Sequence, residues 1–369
     1  MSRPISPPPS KRRKLQSATS RASTEEHQQH ATSQLGPGRV RIFSWNVNGI
    51  APFLQSTITS FFGRKQASST GSEPCLLRDV LRRYDFPTML LLQEIKLSPG
   101  DTASRRAIER AINPRSDESA LAPSYSAYFC FPKDKYNATG FGRKIYGVCS
   151  IIREDFIAYY DAKVHEVEWD SEGRFLVCET EGRGSTPALA VINCYMVNGT
   201  EAPYKSDTGQ IQGTRHDRKI QVHSLLHDEC RKLEANDTAV ILAGDMNVAR
   251  ARLDGHPNLR TNPIKHCINR ADFETKFFSA SDEGLNMVDS FRELHPQTAG
   301  YTYYPRLTSF GASCDRIDLI MLSRSLGPHL IRAGIMETST DRGPSDHVPL
   351  YTELHFGSSD ETDKPTEGA

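Results

Sequence analysis

The sequence predicts an α/β fold in which mixed β-sheets pack face to face with helices outside. Three observations point there. Short apolar runs, most of roughly four to eight residues, recur along the chain between turn residues, as buried strands do. Few segments carry helical periodicity between them. No motif block is duplicated, so one layered domain is expected rather than two independent ones. The 369 residues are 37% hydrophobic and 24% charged, enough to bury one large core.

Residues 1–38 are rich in Ser, Pro, Gln, Arg and Thr and nearly empty of apolar side chains, so a disordered tail is expected. Within it, Lys11-Arg12-Arg13-Lys14 follows a proline-rich run and reads as a nuclear import signal, making the nucleus the expected location. Residues 40–45 form a strand ending at Asn46, and 89–92 a buried strand ending at Gln93-Glu94. Strands follow at 146–152, 175–179 and 188–195. A helix is expected over 218–233, with Ile220, Val222, Leu225, Leu226 and Cys230 as its apolar residues. Residues 239–244 form a strand ending at Asp245, and strands at 316–322 and 347–354 close the set. Segments 62–74 and 99–124 read as polar surface insertions, 251–285 as a long irregular connection, and 357–369 as an acidic frayed tail. The ordered domain is therefore expected to span 39–356.

Composition excludes several classes. Lys plus Arg and Asp plus Glu both number 45, so the chain is not a uniformly basic nucleic-acid wrapper, although a local basic patch beside an acidic site is compatible with that balance. No apolar run approaches the ~18 residues of a membrane span, and the opening MSRPISPPPS has no apolar core of a secretory signal. The eight cysteines are scattered without a C-x-x-C pair, which points to buried reduced thiols rather than a zinc site or disulfide framework.

The chemistry gathers where apolar strands end. Asn46 follows IFSW, Glu94 follows MLLLQ, Asp245 and Asn247 follow VILAG, and Asp346-His347 precede VPLYTEL. Asp318 lies inside RIDLIML, where a carboxylate must be paired or open to a cleft. Each alone is compatible with a turn or cap; together, on one rim of a layered sheet, they describe a hydrophilic cleft on an apolar base. Carboxylates and amides without thiolate suit a hard, oxygen-preferring cation. A His beside an Asp, with another Asp on a neighbouring strand, suits an imidazolium that stabilises charge on phosphorus, and Asp-x-Asn suits the orientation of a water. The chain has no G-x-x-x-x-G-K, H-E-x-x-H or G-x-S-x-G motif.

SWNVNGI (44–50), LLQEIKL (91–97), CYMVNGT (194–200), GDMNVA (244–249), RIDLIMLS (316–323) and PSDHVPL (344–350) together resemble the exonuclease III-like apurinic/apyrimidinic endonucleases of the endonuclease/exonuclease/phosphatase superfamily. The resemblance covers about residues 39–356. It implies a four-layer αββα sandwich of two mixed β-sheets, DNase I-like, with the site where the sheet edges meet. It further implies a Mg²⁺-dependent hydrolase, Mn²⁺ substituting, that cuts DNA 5′ to abasic sites in base excision repair and trims 3′ ends as an exonuclease. By position, Glu94 resembles the principal metal carboxylate with Asn46 beside it, and Asp346 the second acidic position near metal or imidazole. Asp245 resembles the residue that aligns the attacking water, Asn247 the amide that holds water or a phosphoryl oxygen, and His347 the phosphate contact oriented by Asp318. Asp245, Asn247 and His347 are also placed within reach of metal. Tyr195 and Asn198 match the phosphate-side Tyr and Asn. The expected partner is double-stranded DNA with abasic sites or blocked 3′ ends, bound by a monomer away from membranes.

Departures from the pattern fall at Asn48, neutral where some members carry Asp, and at Asp315, an acid where a bulky apolar residue is usual. Tyr303, in the aromatic block 301–304, is placed as a sugar-pocket wall, with core packing as the alternative. Lys96, Arg174, Arg215, Arg218, Arg250 and Arg252 are candidate DNA contacts, Arg174 and Arg218 foremost. A phosphoesterase of the same superfamily acting on RNA, phosphotyrosyl–DNA or a small phosphate ester is the competing reading, and a catalytically silent binding module a more distant one.

Overall fold

In the strand Met89–Gln93 every residue is buried, and alternation decides which layer each side chain joins. Met89 and Leu91 enter one core cluster with Val40, Ile42, Val191, Ile241 and Ile320, so this cluster lies between two sheets. Leu90 and Leu92 enter another with Trp45, Ile151 and the helical residues Leu77, Val80, Ile108 and Ile112, so this one lies under helices. Full burial of each such side chain contributes roughly 1.5–3 kcal/mol. A strand covered on both faces must therefore sit in the middle of a layered stack.

The computed structural model describes residues 38–54, 76–115, 118–119, 121–138 and 146–357. The expected N-terminal tail with its basic cluster, the insertion at 62–74 and nearly all of the acidic tail lie outside them. One six-stranded sheet runs β15 (Leu330–Ile335), β16 (Leu350–His355), β1 (Arg39–Asn46), β2 (Met89–Gln93), β4 (Val148–Arg153) and β3 (Tyr125–Cys130). The other runs β12 (Val288–Asp289), β14 (Asp318–Leu322), β10 (Ala239–Asp245), β7 (Leu189–Tyr195), β6 (Phe175–Thr180) and β5 (Lys163–Glu166). Two small ribbons pair β8 (Pro203–Lys205) with β9 (Ile211–Thr214) and β11 (Gly255–His256) with β13 (Cys314–Asp315). Both large sheets are mixed: β1 pairs parallel to β2, β7 pairs parallel to β10, and their other neighbours are antiparallel.

Helices α1 (Leu77–Arg83) and α2 (Thr102–Ile112) cover the first sheet, and α3 (Glu154–Tyr160) follows β4. The long α4 (Arg215–Ala235) lays Val222, Leu226 and Cys230 on Val240, Leu242 and Leu319 of the second sheet. Its start is fixed by a capping box in which Thr214 and Asp217 satisfy each other's backbone N–H groups. Helix, sheet, sheet, helix is the four-layer order the sequence pointed to.

Two segments differ from expectation. The stretch 99–124 is not merely a polar insertion: Asp101 caps α2, which buries Ile108 and Ile112, and the chain then enters β3. The connection 251–285 contains α5 (Lys265–Phe273), continued by a π-helical turn Glu274–Phe278, with Phe273 and Phe277 fully buried one above the other. Six of the seven described cysteines are buried, and all seven are free thiols.

Candidate active site

The mixed topology creates the site. Parallel β1 and β2 end together at Asn46 and Gln93, and parallel β7 and β10 end together at Tyr195 and Asp245. Antiparallel β14 begins opposite, with Asp318 facing Asp245 across the ladder. The chain turns abruptly at this rim: Asn48, Glu94, Lys96 and Asn247 all have φ near +50°, a region in which Glu and Lys are strained by roughly 1–2 kcal/mol. Gly244 has no alternative residue, since a Cβ there would lie 1.8 Å from the Cys194 carbonyl oxygen. The glycine of GDMN is thus dictated by the close approach of β7.

Below the rim an amide ties the sheets. Gln93 Nε2 on β2 donates to Asn193 Oδ1 on β7 at 2.8 Å, and Asn193 Nδ2 donates back to the Cys149 carbonyl at 3.0 Å. Above it, Glu94 Oε1 accepts from the Tyr195 hydroxyl at 2.6 Å and from Asn46 Nδ2 at 3.2 Å. Asn46 Nδ2 also reaches Asp245 Oδ2 at 3.0 Å, so this amide bridges the two carboxylates with its nitrogen, and its oxygen accepts from Asn48 N. Lys96 Nζ lies 2.9 Å from Glu94 Oε2 and also meets Asn48 Oδ1, while Asn48 Nδ2 donates to Asp346 Oδ1 at 2.9 Å. Burial would push Glu94 up, but the Lys96 charge and hydrogen bonds from Lys96, Tyr195 and Asn46 hold its carboxyl below the usual range.

The other half of the rim carries His347. Its Nδ1 lies 2.7 Å from Asp318 Oδ2, and both residues are buried. Thr302 Oγ1 accepts from Asp318 N at 3.0 Å, and Ser345 fixes the entry to the strand by donating to the Asn46 carbonyl at 2.5 Å. Burial opposes an imidazolium here, yet Asp318, with Asp245 and Asp346, raises His347 to about 10. Asp245 accepts from Asn247 N at 2.9 Å, and burial with the facing Asp318 pushes its carboxyl well above the ordinary range. Ligand atoms of Asp245, Asp318 and His347 lie within 4.8 Å of one another. An imidazolium offers no lone pair to a metal, so this trio fits a hydrogen-bonded acid–imidazole pair better than a cation cage. The oxygens of Glu94 and Asp346, already arranged about the Lys96 ammonium and Asn48, form the set that fits a hard divalent ion.

Asn48, Glu94, Tyr195, Asp245, Asn247, Asp346 and His347 line one cleft of about 300 Å³ that also contains Asn198, Tyr303, Lys219, Arg260, His266, Arg270 and Asp315. Asn198 is exposed there, and the Tyr303 ring lies 5.0 Å from that of His347. Asn247 donates Nδ2 to the Met196 carbonyl. Lys219, which sequence reading passed over, donates to the Asn247 carbonyl at 2.7 Å, and burial pushes its ammonium down to about 7. Its signal was present: a lysine three residues before Val222 and seven before Leu226 belongs to the buried face of α4.

The expected arginine contacts lie elsewhere. Arg174, Arg215 and Arg218 surround the buried Glu172, whose carboxyl they hold near 2 against the opposing effect of burial. Arg174 stacks 4.8 Å from the Tyr195 ring centre and bonds its carbonyl, so it props Tyr195 rather than facing the cleft. Arg218 lies over Tyr204. Arg250 is bound to Glu274 and Asp289, and Arg252 to the carbonyls of Gly255 and Pro257.

The model of the Endonuclease/Exonuclease/phosphatase family matches residues 43–347, which includes every rim residue from Asn46 to His347. The chain belongs to that family. Among curated members, the mouse DNA-(apurinic or apyrimidinic site) endonuclease 2 is 26% identical over 334 residues, covering 86% of this chain and 60% of that protein. The chain thus spans about three fifths of the length of the curated relatives it matches. Among solved structures, the AP endonuclease LMAP from Leishmania major superposes with a TM-score of 0.59 at 18% identity, covering 86% of this chain and 88% of that one. The 3′-5′ exonuclease NExo from Neisseria meningitidis gives 0.53 at 20%, covering 86% and 100%. These two likenesses establish the shared fold.

Proposed function

We propose that this chain is a divalent-metal-dependent phosphodiesterase that cuts DNA on the 5′ side of abasic sites and trims 3′ ends, acting in base excision repair. The observation that carries the reading is the buried Asp318–His347 pair set across one cleft from Glu94, with Asp245 between them. Family membership and relatives named as apurinic/apyrimidinic endonucleases support it. Mg²⁺ is the proposed ion, with Mn²⁺ able to replace it; held by Glu94 and Asp346, it supplies neutralisation of charge on the phosphodiester.

The chain's own residues do the rest. His347, kept protonated by Asp318, donates Nε2–H to a non-bridging phosphate oxygen and meets the charge that grows there. Asp245, positioned by Asn46 and Asn247, orients the attacking water and accepts its proton. A carboxyl whose proton affinity is already raised by burial suits that task. Tyr195 holds Glu94 in place, and Asn198 offers its amide to the same phosphate. An abasic nucleotide has no base to unstack, so its entry into the cleft is cheap. No helix among the described residues is long and apolar enough to cross a membrane.

The test is a duplex with one abasic site, compared with the intact duplex and a small phosphate ester, in Mg²⁺. A nick with a 3′ hydroxyl on the 5′ side of the lesion is expected; cleavage of the small ester alone sinks the reading. Action in the nucleus is proposed from Lys11–Lys14, and a reporter fused to residues 1–38 that stayed outside the nucleus would refute it.

A further inference from the structure

Asp315 stands in a row with the proposed phosphate-binding histidine. Tyr303 pairs antiparallel with Asp315 on one side and with His347 on the other, with Tyr303 N donating to the Asp315 carbonyl at 2.8 Å and Asp315 N returning the bond at 3.1 Å. Residues in register on neighbouring strands project to the same face. His347, Tyr303 and Asp315 therefore stand side by side, and all three line the cleft. At a strand spacing of about 4.8 Å, the Asp315 backbone lies about 10 Å from that of His347, with the tyrosine as the floor between. A phosphate held at His347 thus has its attached sugar over Tyr303 and the far edge of that sugar at Asp315.

The carboxylate at that edge is unused. Among the described residues it accepts no hydrogen bond and forms no close ion pair, although it is partly buried and feels the charges of Arg260 and Arg270. The Arg260 guanidinium and the His266 ring, which line the same cleft, also make no hydrogen bond or ion pair among the described residues, while the Arg260 carbonyl accepts from Arg270 at 2.7 Å. A carboxylate is an acceptor only, so it rejects phosphate and requires a donor. At one sugar's distance from the phosphate the donor that a substrate presents is a sugar hydroxyl. We propose that Asp315 reads a hydroxyl on the sugar of the nucleotide in the cleft, making this a site selective for hydroxyl-bearing sugars. The proposal rests on the phosphodiesterase reading. Two sources present such a group: the ring-closed form of an abasic deoxyribose has a hydroxyl at C1′, and a ribonucleotide has one at C2′.

The experiment uses the full chain in Mg²⁺ and duplexes that differ at one nucleotide: an abasic deoxyribose, its tetrahydrofuran analogue with hydrogen at C1′, a ribonucleotide, and the matching deoxynucleotide. A site built around a hydroxyl discriminates against the analogue lacking it, and loss of one hydrogen bond to a charged group corresponds to about 10- to 100-fold in rate. Expected is that preference within the abasic pair if C1′ is read, or within the nucleotide pair if C2′ is read. Asp315→Leu should bring the ratio to within about threefold of unity. Asp315→Asn, of the same size, should give an intermediate ratio and carries the test if the leucine variant does not fold. Cleavage without preference in either pair overturns the assignment and leaves the phosphodiesterase reading standing, as does a preference that survives in both variants. Failure to cut any duplex overturns that reading and the assignment with it.

Discussion

Asp318 Oδ2 lies 2.7 Å from His347 Nδ1, although 29 residues separate them in the chain. Asp318 Oδ1 has no partner among the described residues, so the carboxylate is committed to the imidazole on one side only. A buried acid–imidazole pair opening on a cleft is a mark of a functional site. Asp318→Asn, which keeps shape and removes charge, should lower kcat by about 10²–10⁴-fold with little change in substrate affinity. Steady-state rates on an abasic duplex, with circular dichroism as the folding control, check this; a loss under threefold would deny the pair its role.

Glu94 is held by Tyr195, Asn46 and Lys96, so its replacement should disturb metal binding more than folding. Glu94→Gln should raise the Mg²⁺ concentration for half-maximal rate by about tenfold or more, since charge count sets affinity for hard cations. Removal of divalent ions with a chelator should abolish cleavage by the unmodified chain, and added Mg²⁺ or Mn²⁺ should restore it. An unchanged Mg²⁺ titration in the variant would move the ion to other ligands.

Asp245 faces Asp318 across the ladder, and both are buried. Because its carboxyl takes up a proton more readily in the folded chain than in the unfolded one, folding stability falls as pH rises from the ordinary carboxylate value of 3.8 towards about 7. At neutral pH the charged Asp245 is thus a cost to the fold. Asp245→Asn should therefore raise Tm by a few degrees in metal-free buffer while cutting turnover by at least about 10³-fold. A variant that is both inactive and less stable would contradict this balance.

His223 packs against Phe273 and bonds Asp272 at 2.7 Å, and burial pushes its imidazole down to about 4 despite that acid. The unfolded chain binds this proton near 6.5, the folded chain only near 4, so stability should decline as pH falls between those values, by up to about 3 kcal/mol. His223→Asn, with its amide where Nδ1 stood, should flatten that decline in urea melts at pH 7 and pH 4.5. An identical slope in both proteins would assign the decline to other groups.

The rim was legible because strand ends announce themselves: MLLLQ before Glu94 and VILAG before Asp245 are apolar runs that stop at a polar residue. The alternation around Asp318 called for an acid either paired or open to a cleft, and the family resemblance made His347 its partner. Arg174 and Arg218 were not legible, because a sequence does not reveal that three guanidiniums converge on one carboxylate at Glu172. The helix α5 was hidden by polar composition, although Phe273 and Phe277, four apart, carried its signal. The two-residue strand β13, which sets the direction of Asp315, is too short for any periodicity to show.

The amide tie between Gln93 and Asn193 has a mechanical meaning. Glu94, Asp346 and His347 ride on one sheet, Tyr195, Asp245 and Asp318 on the other, and the filling between them is apolar and without direction of its own. A lateral slip of one slab over its neighbour by about 3 Å, one residue's rise along a strand, would keep the oily interior covered yet pull the two halves of the reaction centre out of alignment. The polar rivet between the slabs makes their alignment part of the catalyst.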